Sequence, residues 1–165
     1  MSCAILDALA VADSGPLIAL ARIGRLPLLP QLVARILVPP AVWVEVTGAG
    51  DLPGAAEIRN APWIEVKAPD QQAAEALAII VDRGEAEAIT LAKSISGCLL
   101  LADDALARRV AERFHLRLMG TVGLLRLARK RGLLPALRPE LEKLQANGVF
   151  VRKALIEAVL ADVGE

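Results

Sequence analysis

The sequence predicts an α/β protein, a three-layer α/β/α fold with a mostly parallel central sheet, followed by a C-terminal helical appendage. Three observations predict it. Short apolar runs at Leu9–Ala12, 36–38 and 98–102 show no polar alternation, as expected of strands buried on both faces. Each run ends in a signal that starts a helix: Asp13-Ser14-Gly15-Pro16, Pro39-Pro40 and Asp103-Asp104. Strands and helices of these lengths then alternate along the chain, which makes a parallel sheet with helices on both faces.

Taken in order, the strand 9–12 turns at Ser14-Gly15 into a helix that Ser14 caps and Pro16 enters in its first turn. Gly24 and Pro27 break that helix, and residues 26–33 form a short apolar turn or helix. The strand 36–38 ends at Pro39, and Pro40 begins a helix over 41–46. This helix sets Glu45 among Val42, Val44 and Val46, with Trp43 available to pack; an acid there is costly unless it faces a polar site. Gly48-Ala49-Gly50 closes the unit. A helix over 53–60 and a strand over 63–66 follow, ended near Pro69. An alanine-rich helix over 71–81 stops at Asp82-Arg83-Gly84, and a second begins at Glu85 with Ala88, Leu91 and Ala92 at packing spacing. The strand 98–102 leads to a helix over 105–114, a strand over 116–118 and a helix over about 121–131. Pro135 and Pro139 mark a change of texture before two helices over 140–146 and 152–163. We therefore divide the chain into an α/β domain, 1–132, and an appendage, 133–165, whose apolar faces dock on the main body or on another chain.

Composition excludes several classes. With 55% hydrophobic and 23% charged residues in 165, the chain can bury a core and is not disordered, and no apolar stretch reaches the length of a membrane span. No basic segment followed by a cleavable apolar stretch opens the sequence, so the expected location is cytoplasmic. Cys3 and Cys98 lack metal-ligand spacing and read as reduced thiols. His115 is the single histidine, which excludes histidine-pair chemistry within one chain and leaves a half-buried surface residue as its expected role.

The zero net charge hides a segregation. Residues 105–131 carry eight basic groups against one acid, Glu112, whereas residues 65–104 carry eight acids against three basic groups. An acidic centre beside a basic surface suits a polyanionic substrate held next to a cation-loaded site; solvated helix faces are the plainer account of the same arginines.

Four acids share one context. Asp13 and Asp103 end strands, Glu45 lies on the helix after the second strand, and Glu85 starts a helix. Strand ends and following helix starts share one edge of a parallel sheet, so these acids can converge. Clustered carboxylates repel unless a cation sits among them, and an all-oxygen set points to Mg²⁺ or Mn²⁺. Each also has a plainer role: Asp13 as a cap beside Ser14, Glu85 and Asp103 as complements to helix dipoles.

At these residues the chain resembles the PIN-domain family. The runs V-A-D-S-G-P-L-I-A-L around Asp13, V-P-P-A-V-W-V-E-V with Glu45, D-R-G-E-A-E-A-I-T-L-A with Glu85 and L-L-L-A-D-D with Asp103 follow that family's order. The likeness is to small prokaryotic members similar to VapC-type toxin ribonucleases. From Gly120, G-T-V-G-L-L-R-L-A-R-K-R-G-L-L-P is similar to a poorly characterised subgroup. The resemblance implies that Asp13, Glu45, Glu85 and Asp103 hold one or two Mg²⁺ or Mn²⁺ ions, with Asp104 competing with Asp103 and Glu87 with Glu85. It implies that Ser14 orients Asp13 or a water, and that the reaction is metal-dependent hydrolysis of RNA leaving a 5′ phosphate. Arg108, Arg109, Arg126 and Arg129 are then the candidate phosphate contacts, and a 2% aromatic content leaves base stacking a minor part. A small antitoxin and a homodimer are the implied partners. Two other readings stay open: a nucleic-acid- or partner-binding module with little catalysis, and a phosphohydrolase using Asp13 as nucleophile. The second is disfavoured because Ser14-Gly15-Pro16, not a second aspartate, follows Asp13.

Overall fold

The computed structural model of the chain describes residues 8–48, 50 and 52–165. Five short strands, β1 (Leu9–Ala12), β2 (Arg35–Val38), β3 (Ile64–Val66), β4 (Leu99–Leu101) and β5 (Arg117–Met119), form a sheet in the order β3-β2-β1-β4-β5. Every pairing is parallel, so the expected mostly parallel sheet is wholly parallel among the described residues. The helices are α1 (Ser14–Arg22), α2 (Leu29–Leu32) after a 3₁₀ turn at Leu26–Leu28, α3 (Pro40–Thr47), α4 (Ala55–Arg59), α5 (Gln71–Leu77), α6 (Arg83–Lys93), α7 (Ala105–Arg113), α8 (Thr121–Lys130), α9 (Arg138–Ala146) and α10 (Lys153–Asp162).

Successive strand residues point to opposite faces, and that sorts them into two cores. Ala10, Ala12, Ile36, Val38, Leu99 and Leu101 pack with Leu17 and Leu20 of α1 and Leu124 and Leu125 of α8. Val11, Leu37 and Leu100 pack on the other face with Ile89 and Leu91 of α6 and Ala107 and Ala111 of α7. Each fully buried leucine or isoleucine contributes about 1.5–3 kcal/mol of transfer free energy, so two such layers account for a sheet with almost no polar residue in its central strands. Of the two dockings open to the C-terminal helices, the main body takes them: Leu137, Leu141, Leu144, Val159 and Leu160 belong to the first core. Among the described residues no helix is long and apolar enough to cross a membrane. Cys98 is a buried free thiol, while Cys3 lies outside the described residues.

Several local expectations change. α1 begins at Ser14 itself and Asp13 holds the cap position, because the Asp13 backbone stays extended at φ −79° and ψ 168°. α5 ends at Leu77, and Asp82-Arg83-Gly84 opens α6 instead of closing α5. The cause is a capping box: Asp82 Oδ1 accepts from the Glu85 N–H at 2.8 Å and Glu85 Oε2 accepts from the Asp82 N–H at 3.1 Å. α4 starts at Ala55, later than expected, behind Gly54 at φ +81°, where a Cβ would meet Ala21 Cβ at 2.4 Å.

His115 is exposed rather than half-buried, and it takes φ +57° where α7 ends. The Leu116 N–H donates back to the Ala111 carbonyl at 3.2 Å, so His115 occupies the left-handed position that closes a helix and that favours glycine. His115→Gly is expected to stabilise the protein by about 1 kcal/mol, which a thermal melt registers as a rise of roughly 2–4 °C.

Candidate active site

The chain runs outward through β1, β2 and β3, then returns to lay β4 against the other side of β1. Such a reversal opens a crevice at the carboxyl ends of the two central strands. Asp13 and Asp103 leave β1 and β4 there. The Asp13 N–H donates to the Leu101 carbonyl at 2.9 Å, so the β1–β4 ladder continues up to the acid. A Cβ on Gly15 would lie 3.7 Å from both Cβ and Oδ2 of Asp103, which places the first turn of α1 directly beside that side chain.

α3 and α6 bring the other acids. A Cβ on Gly84 would lie 3.5 Å from Glu45 Oε1 and 3.6 Å from Asp82 Oδ1, so these two carboxylates flank one point on α6. They line an open cleft of about 480 Å³ with Pro40, Val44 and Arg83. Glu45 is exposed, which answers the cost of an acid among valines: it and Val44 leave the core while Val42 and Val46 stay in it.

Asp13 is 5% exposed and makes no capping hydrogen bond. Burial pushes its carboxyl from the ordinary 3.8 up to about 7; the neighbouring Ser14 N–H pulls the other way, and the charges of Glu85, Asp82 and Glu45 add to the rise. Glu85 is raised for the same first reason, burial, against the Asp82 N–H and with Asp82, Asp104 and Glu45 adding repulsion. The acids of four separate segments therefore feel one another. Their chemistry suits a divalent cation, since the neighbours that act on the buried Asp13 are hard carboxylates and it pairs with no cationic side chain among the described residues. Among the described residues, no three acidic, histidine or cysteine side chains converge closely enough to hold an ion together.

The remaining candidates divide by what already occupies them. Both oxygens of Asp103 are engaged by Thr121, whose N–H donates to Oδ1 at 2.7 Å and whose hydroxyl donates to Oδ2 at 2.5 Å. Asp104 Oδ1 caps α7 through the Leu106 and Ala107 N–H groups, both at 2.9 Å. Glu87, only 4% exposed, takes the Ala41 N–H at the start of α3 at 2.8 Å and pairs with Arg83 at 3.5 Å, so it serves the fold. Ser14 is half-buried in the first turn of α1. Arg108 donates to the Ala102 carbonyl at 2.8 Å and the exposed Arg109 to the Ala105 carbonyl at 3.4 Å, both on the helix that follows β4. Arg126 and Arg129 are not brought to this edge as open cations: they pair with Asp162 at 2.6 Å and Glu165 at 3.0 Å, fastening α10 to α8. Reading the sequence missed Asp82 and Thr121. The D-x-x-E capping pattern was there to find for Asp82; the Thr121 contact spans 18 residues and leaves no local signal.

A family model, DUF3368, a PIN domain, matches residues 9–165. The chain belongs to the PIN-domain family. PIN domains are generally nucleases that use divalent metal ions. No curated protein matches the sequence.

Proposed function

We propose that this PIN domain is a metal-dependent endoribonuclease working with Mg²⁺ or Mn²⁺. The observation that carries the reading is Asp13: a carboxyl at the end of a central strand, buried and raised to about 7, with further acids from α3 and α6 in electrostatic reach. A fold that needed only packing there would place an apolar or hydrogen-bonded group instead.

Asp13, Glu45, Glu85 and Asp103 are the residues that would hold the cation, with the second oxygen of Asp104 at the rim. Glu85 is preferred to Glu87 because Glu87 is committed to the start of α3 while Glu85 Oε1 is left over by the capping box. The cation, when bound, supplies an acidified water as nucleophile and offsets charge on the phosphate and on the leaving 3′ oxygen. Ser14 orients Asp13 or the attacking water from the start of α1. The N–H groups at the start of α1, which no side chain caps, favour a phosphate there. Arg109, exposed, and Arg108, half-buried, are the remaining phosphate contacts. The reading extends to a VapC-like toxin in the cytoplasm, a homodimer neutralised by a small antitoxin. The C-terminal segment uses most of its apolar residues internally but leaves Phe150 and Leu155 exposed; Val44, 65% exposed beside Glu45, is the candidate contact nearest the acids.

The experiment is cleavage of end-labelled single-stranded and structured RNAs with Mg²⁺, Mn²⁺ or EDTA, wild type against Asp13→Asn. Metal-dependent cutting that leaves 5′ phosphates and disappears in the variant is expected. RNA binding without cutting in both proteins would favour a binding module, a reading that the engaged oxygens of Asp103 and the separation of the acids also suit.

A further inference from the structure

We infer that Thr121 is a positioning residue for the site, fixing the Asp103 carboxylate from the start of α8; this rests on the reading of Asp103 as an acid of the nuclease centre. Thr121 is 1% exposed, whereas Asp103 is exposed. A buried donor therefore reaches out to hold a carboxylate that otherwise faces solvent. Its N–H and its hydroxyl take one oxygen each, at 2.7 and 2.5 Å, which fixes both the position of the carboxylate and the rotation of its plane. A side chain in water samples several rotamers, and an acid that must ligate with sub-ångström precision loses affinity for each one that points elsewhere.

Two further observations show that space has been left for this arrangement. A Cβ on Gly120 would meet Asp103 Oδ1 at 2.7 Å, well inside contact, so only glycine admits the carboxylate here. The same Cβ would lie 3.2 Å from the guanidinium of Arg108, which itself grips the Ala102 carbonyl one residue before Asp103. On the other side lies Gly15, where an added Cβ would come to 3.7 Å from Asp103 Oδ2, an ordinary contact that the carboxylate could accept. The carboxylate is thus held by the start of α8 at the end of β4. Each oxygen retains a lone pair beyond the one Thr121 uses, so the clamp leaves ligating capacity while it sets direction. Outer partners of this kind commonly govern metal affinity about 10-fold or more. A cap for α8 is the structural part of the contact, since Gly120 offers no side chain of its own, and the N–H bond alone supplies it. The hydroxyl is the part that a cap does not need.

The test compares Thr121→Val, which keeps volume and the N–H but loses the hydroxyl, with Thr121→Ser, which restores it, and with Asp103→Asn. Mn²⁺ binding is titrated calorimetrically on each protein without RNA. RNA affinity in EDTA, the melting temperature without metal, and kcat and KM for cleavage are measured alongside. Thr121→Val is expected to bind Mn²⁺ about 10-fold more weakly and to lose kcat by a similar factor. Its KM and its RNA affinity in EDTA stay within about twofold, and Thr121→Ser recovers most of the loss. If Asp103→Asn loses Mn²⁺ binding and Thr121→Val keeps it, the positioning role is overturned and the nuclease reading stands. If Asp103→Asn itself binds Mn²⁺ like wild type, the reading of Asp103 fails and the inference falls with it. A Thr121→Val protein whose losses follow only a lowered melting temperature, with no recovery in Thr121→Ser, also overturns it.

Discussion

Asp13→Asn is expected to make the metal-free protein more stable at pH 8 while it abolishes metal-dependent cleavage of RNA. The unfolded chain ionises Asp13 above its ordinary 3.8, but the folded protein keeps it protonated up to about 7. Between those values the folded state binds the extra proton, so stability is full below pH 3.8 and falls as pH rises through 7. At about 1.4 kcal/mol per pH unit the whole window is worth roughly 4 kcal/mol, an upper figure because the neighbouring acids titrate with it. Asparagine has the same shape and no charge to desolvate, so the variant's stability stays nearly flat across the window. Denaturant melts at pH 5 and pH 8 in EDTA, on both proteins, measure the effect directly. Added Mn²⁺ should raise the melting temperature of wild type and leave the variant unmoved, because only the wild type gains from a cation in its folded state. Equal stability of the two proteins at pH 8 would remove the buried carboxylate from the account of the site. The result matters beyond stability: a residue that weakens the fold when alone is kept for what it holds.

What could be read from the sequence and what could not follow from the range of the interactions involved. The central strands were legible because Val11, Leu37 and Leu100 and their neighbours are apolar on both faces, and a doubly covered parallel strand has no other way to be written. The placing of Asp13 and Asp103 at the ends of neighbouring central strands was legible too, since a parallel sheet sends every strand end to one edge. Boundaries were less so. The helix α6 begins at Arg83 because Asp82 and Glu85 exchange hydrogen bonds, while Gly84, read as a breaker, fits inside a helix against Val42. The basic stretch 105–131 misled for a different reason. Counting charges does not show that Arg126, Arg129 and Lys130 meet Asp162 and Glu165 more than thirty residues further on. Thr121 was invisible for the same reason: its partner is chosen by where β5 lies beside β4.

The longest-range contact of this kind carries the other large expected effect. Arg25 follows α1, at the far end of that helix from Asp13, and grips Glu140 of α9 with two hydrogen bonds, Nε at 2.9 Å and a terminal nitrogen at 2.6 Å; Lys143 adds a third contact at 3.2 Å. Glu140 is 3% exposed, so Arg25→Ala strands a buried carboxylate with one lysine. Breaking a buried pair costs about 3–5 kcal/mol, and the lower end applies because Arg25 is one-third exposed and Lys143 remains. A loss of about 3 kcal/mol lowers the melting temperature by roughly 6–12 °C in a domain of this size. Replacing both residues with apolar ones, Arg25→Met with Glu140→Leu, should recover much of it, since the penalty is the stranded charge rather than a lost attraction. The pair also sets the acid limb of the pH profile. The hydrogen bond from Arg25, more than any other cause, holds the Glu140 carboxyl below its usual 4.5. Its stabilisation is therefore present above pH 4.5 and lost as pH falls through the lowered folded value. Asp13 acts in the opposite sense from 3.8 to about 7, so metal-free wild type is most stable on the acid side of neutrality. Arg25→Ala should flatten the acid limb alone and Asp13→Asn the neutral limb alone. The two changes should add, because they lie at opposite ends of α1 and share no partner.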